Sequence, residues 1–154
     1  MSSILFICTA NRYRSPIAAA CFKSELTKRD QDKAWDVQSA GTWTQNGLAA
    51  LPDAVLAARQ FGLDIREHRS REVTAEMMAA ADLILVMERD QKEALQIEFR
   101  SSRHKVALLT EVTEGVSTDI ADPVRFPQNE QAASEICRLI GAGFDKICAA
   151  AERG

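Results

Sequence analysis

The sequence predicts an α/β fold, a single three-layer domain with a four-stranded parallel sheet and helices on both faces. Short, continuously apolar runs such as Ile4–Cys8 and Leu83–Met87 alternate with stretches of helical periodicity. Runs of that kind are the mark of strands buried on both faces, and strands separated by helices connect in parallel. The length of 154 residues suits one core rather than two. Residues 1–154 are therefore read as one domain without repeat, linker or low-complexity segment.

Taken in order, Ile4–Cys8 reads as the first strand and Pro16 to about Arg29 as a helix, with Ser15 as N-cap and Pro16 at the first helical position. Trp35–Ala40 is a second strand closed by Gly41, and Pro52–Phe61 a helix with Gly62 as its C-cap. Thr74–Ala80 reads as a short helix capped by Thr74. Leu83–Met87 and Lys105–Leu109 are further strands, with Glu88–Phe99 helical between them. A long helix is expected from Gln128 to about Ala151, loosened near Gly141 and Gly143. The segments Gly41–Leu51 and Glu111–Pro127 have no clear period and are candidate active-site loops.

Apolar residues make up 46% and charged residues 27% of the chain, as in an ordinary soluble globular protein. A net charge of −3 without a basic tract argues against nucleic acid as a partner, and no apolar run is long enough to span a bilayer. A signal-type segment is absent from the start, so the cytoplasm is the expected location. Four cysteines without a C-x-x-C pair and only two histidines argue against a metal site, and no cofactor motif is present. Cys21, Cys137 and Cys148 read as small core thiols in a reduced compartment; a disulfide among them has no spacing argument behind it. Oligomeric state is not legible.

The chemistry concentrates where the first strand ends. Cys8 and Arg14 bracket five residues, and Ser15-Pro16 then open a helix. A buried strand delivers a thiol to a loop that returns a guanidinium to the same place at a helix N-terminus. The N–H groups there have no intrahelical partner and, with the positive helix end, make an anion site. In such a field the thiolate, which is the nucleophile, is favoured. The alternative is an inert core thiol beside a solvated arginine, a placement the helix dipole disfavours. The arrangement points to attack on phosphorus, with the loop Thr9, Ala10, Asn11, Arg12, Tyr13, Arg14 and Ser15 around the phosphate.

With these residues in view, the chain resembles the low-molecular-weight protein tyrosine phosphatases. Their phosphate loop has the form C-x5-R-[ST], usually inside C-x-G-N-x-C-R-S-P, and Cys8, Asn11, Arg14, Ser15 and Pro16 match it. Ser39-Ala40-Gly41-Thr42 is similar to the family's S-A-G-T, Asp82-Leu83-Ile84-Leu85-Val86-Met87 also matches, and Asp122-Pro123 looks like its D-P acid motif. Departures are Ala10 for the usual glycine, Tyr13 for a second loop cysteine, and Val124-Arg125-Phe126 where one or two tyrosines are usual.

The resemblance implies hydrolysis of phosphotyrosine and small aryl phosphates through a cysteinyl phosphate. Cys8 would be the nucleophile, Arg14 the oxyanion clamp and Asp122 the general acid, with Asp119 as the alternative acid three residues earlier. Ser15 is either a cap or a donor to the Cys8 sulfur, and Asn11 suits a left-handed loop position that Ser39 and His68 would support. His68 is otherwise a surface residue in a polar run. Trp43, Tyr13 and Phe126 are candidates for substrate specificity, with core packing the alternative for Trp43, and Arg12 is a candidate for favouring acidic flanks. The partner implied is a phosphotyrosine-bearing protein such as a tyrosine kinase. Rival readings are an arsenate reductase, which needs two further cysteines near the end of the third strand where residues 86–93 have none, a phosphocysteine carrier, and an inactive phosphate-binding module.

Overall fold

In the computed structural model, which describes residues 1–126 and 131–153, the four parallel strands are β1 (Ser2–Cys8), β2 (Trp35–Gly41), β3 (Leu83–Val86) and β4 (Val106–Leu108). They lie in the order β2-β1-β3-β4, so the chain leaves β1 toward one edge and crosses back to build the other. Cys8 ends β1 at the point where strand order reverses, where such sheets leave a crevice.

Successive residues of β1 feed opposite cores because strand side chains alternate. Ile4, Phe6 and Cys8 join Leu83, Leu85 and Met87 on one face. That face is covered by α1 (Arg14–Lys28), α5 (Leu109–Glu114), α6 (Ala132–Ala142) and α7 (Phe144–Arg153), with α2 (Pro52–Arg59) at its margin. Leu5 and Ile7 join Ile84 and Val86 on the other, under Met78 of α3 (Ala75–Ala80) and Leu95 of α4 (Arg89–Glu98).

Several expectations change on contact with the structure. Helix α1 begins at Arg14 after an N-cap at Tyr13, so Ser15 is inside the helix and does not cap it. Pro16 is tolerated there because a first-turn N–H has no helical acceptor to lose. Thr74 does cap α3, accepting from the Met77 N–H at 3.2 Å. The expected loop after β4 opens with α5, which ends at Gly115 in a left-handed conformation of φ 72°.

The long C-terminal helix is two helices. A β-carbon at Gly143 would lie 2.5 Å from Thr113 Cγ2, so the chain breaks where α5 packs against the junction. The expected start of that helix, 128–130, lies outside the described residues. Cys21 of α1 and Cys137 of α6, expected as separate thiols, are joined across a Cα separation of 5.8 Å, inside the range a disulfide spans. No helix of the described residues is long and apolar enough to cross a membrane.

Candidate active site

Both side-chain polar atoms of Asn11 are used. The residue is fully buried and sits at φ 58°, the one left-handed position in the loop from Cys8 to Ser15. Ala10 has no positive φ, so alanine fits where the family's glycine is usual. Asn11 Nδ2 donates to Ser15 Oγ at 2.8 Å and to Ser39 Oγ at 3.0 Å. Its Oδ1 accepts from the Arg71 N–H at 2.9 Å. His68 reaches the main-chain carbonyl of Asn11 at 2.7 Å rather than the side chain. A carbonyl only accepts, so Nε2 of His68 carries the proton. Burial, followed by the charges of Arg71, Arg69 and Lys23, outweighs that bond and holds the imidazole below its ordinary 6.5.

Cys8 Sγ lies 3.0 Å from Ser15 Oγ. A thiolate can only accept, so with Cys8 ionised the Ser15 hydroxyl donates to sulfur while its oxygen accepts from Asn11. The chain Asn11–Ser15–Cys8 therefore orients the Cys8 sulfur. The loop runs into the start of α1, whose first-turn N–H groups project from the helix end.

Arg14 is buried to 2% and held by three groups. Nη1 donates to the Ile120 carbonyl at 2.7 Å and lies 3.4 Å from Glu88 Oε2, while Nη2 is 3.9 Å from Asp122 Oδ2. Glu88 was not among the residues singled out from sequence. Its signal is the pair Glu88 and Gln91, a reciprocal capping box directly after β3. Gln91 is also buried and donates to Thr9 Oγ1 at 3.0 Å, tying α4 to the phosphate loop.

The two candidate acids separate clearly. Asp119 accepts the Arg89 N–H at 2.8 Å and faces the Arg89 guanidinium at 3.2 Å. Burial alone would raise the Asp119 carboxyl, but the Arg89 N–H and guanidinium together hold it below the ordinary range, as an anion. Asp122 instead turns toward Arg14, with its Oδ1 accepting from the Val124 N–H at 3.0 Å.

Around the mouth, Trp43 is 82% exposed, which removes the core reading for it. Tyr13 packs partly into the core and Phe126 stands at 38% exposure beside Arg125. The β2 loop closes over the phosphate loop through Thr42 N–H to the Cys8 carbonyl, Trp43 N–H to Thr9 and Leu51 N–H to Arg12, each at 3.0 Å. Among the described residues no cluster of side chains suits a metal ion.

A cysteine at a strand end, an arginine six residues on at a helix start and a carboxylate facing that arginine define the class of cysteine-dependent phosphatases. The model of the low molecular weight phosphotyrosine protein phosphatases matches residues 3–153, and the chain belongs to that family. It is 35% identical to a probable low molecular weight protein-tyrosine-phosphatase, EpsP, of Ralstonia nicotianae, over 94% of this chain and 92% of that one. It is 37% identical to a protein-arginine-phosphatase of Bacillus subtilis, over 93% and 97%. The crystal structure of a YwlE mutant from the same organism superposes with a TM-score of 0.87 at 31% identity, covering 97% of this chain and 99% of that one. A low molecular weight protein tyrosine phosphatase from T. tengcongensis gives 0.84 at 29%, over 97% and 99%.

Proposed function

We propose that this chain dephosphorylates protein phosphotyrosine in the cytoplasm, and small aryl phosphates in vitro, through a cysteinyl phosphate. The observation that carries the reading is the relay from Asn11 through Ser15 to the Cys8 sulfur, with Arg14 and Asp122 beside it. Cys8 attacks phosphorus; the S–P bond forms as the bond to the phenolic oxygen breaks. Asp122 gives its proton to that oxygen and then takes one from the water that cleaves the S–P bond. Arg14, fixed by the Ile120 carbonyl, binds equatorial oxygens best when the phosphoryl group is flat. The Ser15 hydroxyl stabilises sulfur as it leaves in the second step. The partner is a protein bearing phosphotyrosine, such as a tyrosine kinase.

Relatives carry both tyrosine and arginine phosphatase names. The positive charge of Arg12 at the mouth disfavours a second guanidinium, while the exposed indole of Trp43 offers a face on which an aryl ring can stack. Turnover of p-nitrophenyl phosphate, a phosphotyrosine peptide and a phosphoarginine peptide, with wild type and Cys8→Ser, tests the reading. Hydrolysis of both aryl substrates that vanishes in Cys8→Ser supports it. Turnover surviving Cys8→Ser, or a preference for phosphoarginine, refutes it.

A further inference from the structure

Two guanidiniums, half-buried at Arg12 and exposed at Arg125, belong to the two loops that carry the proposed phosphate-binding and acid residues. Arg12 follows Asn11 in the phosphate loop, and its Nε donates to the Ala49 carbonyl at 2.8 Å. Its main-chain carbonyl also accepts from the Leu51 N–H. The bond through Nε anchors the side chain and, among the described residues, leaves both Nη groups uncommitted, so part of its rotamer entropy is already lost before any ligand arrives. Arg125 lies in the turn that follows Asp122, with its guanidinium 5.6 Å from the Phe126 ring centre.

The fold sets the two apart. Arg12 is tied to the loop that follows β2, at one edge of the sheet. Arg125 belongs to the acid loop, which is tied by the Ile120 N–H to the Met87 carbonyl at the end of β3, on the other side of β1. Among the described residues neither forms an ion pair. Most nearby carboxylates are committed: Asp119 to Arg89, and Glu88 and Asp122 toward Arg14. Asp53, close enough to act on the Tyr13 hydroxyl, is the exception and stands on the α2 side. The chain as a whole carries −3, so a cationic rim at the mouth runs against the charge of the molecule.

We propose that Arg12 and Arg125 form a bipartite reader for acidic residues on both sides of the phosphotyrosine. The proposal rests on the phosphatase reading above and narrows its substrate class to phosphotyrosine within acidic segments. Exposed ion pairs are individually weak and screened by salt. The effect therefore falls on KM at low ionic strength and is modest for each arginine.

The test uses matched phosphotyrosine peptides with glutamate, glutamine or lysine on both sides, and p-nitrophenyl phosphate as reference. The readout is the ratio of kcat/KM between acidic and neutral peptides within each variant, whatever happens to absolute turnover. Wild type is expected to favour the acidic peptide by about three- to tenfold, through KM, and about 0.5 M salt should bring the ratio close to one. Arg12→Gln and Arg125→Gln should each lower the ratio by about two- to threefold, and the double variant should abolish it. Arg12→Lys should recover only part, since Lys keeps the charge without the braced fork. A wild-type ratio of one, or one that salt and the double variant leave unchanged, overturns the proposal while p-nitrophenyl phosphate is still hydrolysed. Failure to hydrolyse p-nitrophenyl phosphate overturns the phosphatase reading, and this inference with it.

Discussion

Gly41 shows how little room the phosphate loop has. A β-carbon there would sit 2.6 Å from the Thr9 carbonyl oxygen, well inside contact distance. Alanine at 41 must push Thr9 and the loop behind Cys8 out of place. Overpacking of that kind costs about 1–3 kcal/mol. Gly41→Ala is expected to lower Tm and to weaken inhibition by inorganic phosphate by more than about tenfold, since a shift of the loop by 1 Å is enough to spoil an anion site. Phosphate inhibition unchanged from wild type would show that the loop tolerates the methyl group.

His68 gives a pH dependence of defined sign. Its folded value is below the 6.5 it has when unfolded, because burial and neighbouring cations disfavour the imidazolium. Between the two values the unfolded chain binds more protons, so stability rises with pH through that window and falls as pH drops below about 6.5. Urea unfolding between pH 5 and 7.5 should show this slope, and His68→Gln, which can still donate to the Asn11 carbonyl, should flatten it. An equal slope in the variant would assign the effect to other groups.

The acid loop is an element defined by its anchors. Ile120 is held on both sides, its N–H to Met87 and its carbonyl to Arg14, and Asp119 is clamped by Arg89. Asp119 is taken up by Arg89, whereas Asp122 turns toward Arg14, which is why Asp122 is the proposed proton donor. Asp122→Asn should lower kcat by about 10²–10⁴ for a poor leaving group such as phenyl phosphate, while Asp119→Asn should cost less than about tenfold and act mainly on stability. The reverse ranking in a pH–rate profile would move the acid to Asp119.

Helices α1 and α6 are stapled to each other. The Cys21–Cys137 bond joins residues 116 apart. In the chain-entropy account, closing a ring of that size is worth about 4–5 kcal/mol through the unfolded state. Treatment with dithiothreitol, or Cys21→Ser, should therefore lower Tm by about 8–20 °C. A Tm insensitive to both would show that the bond contributes nothing in solution.

At the scale of the whole molecule, the sheet and the phosphate loop were legible because each is written in contiguous residues. Apolar runs gave the strands, and Cys8 to Pro16 carried the loop. Features that depend on distant partners were not legible. The break before Phe144 is set by Thr113 of α5, and Glu88 meets Arg14 only once β3 lies beside β1. Of the two readings of Ser15, the cap fails because the helix already starts at Arg14, while the contact with sulfur is present and its hydroxyl is shared by Asn11 and Cys8. Oxidation is likewise a property of the whole chain. The free thiols of the described residues are Cys8 and Cys148, and Tyr13 stands where a resolving cysteine would be. Heavy peroxide should carry Cys8 to sulfinic and sulfonic acid, so full recovery of activity with dithiothreitol would contradict the assignment.

One shared carbonyl links two halves of the chemistry. Because the oxygen of Ile120 steadies Arg14 and belongs to the segment that carries Asp122, the proposed clamp and the proposed proton donor share one anchor. A substrate whose leaving group wedges that segment outward loosens the grip on its own phosphoryl oxygens. On the proposed roles, bulk beside the scissile bond should be rejected at the chemical step as well as at docking, and lesions in the segment and in the arginine should fall short of additivity when combined.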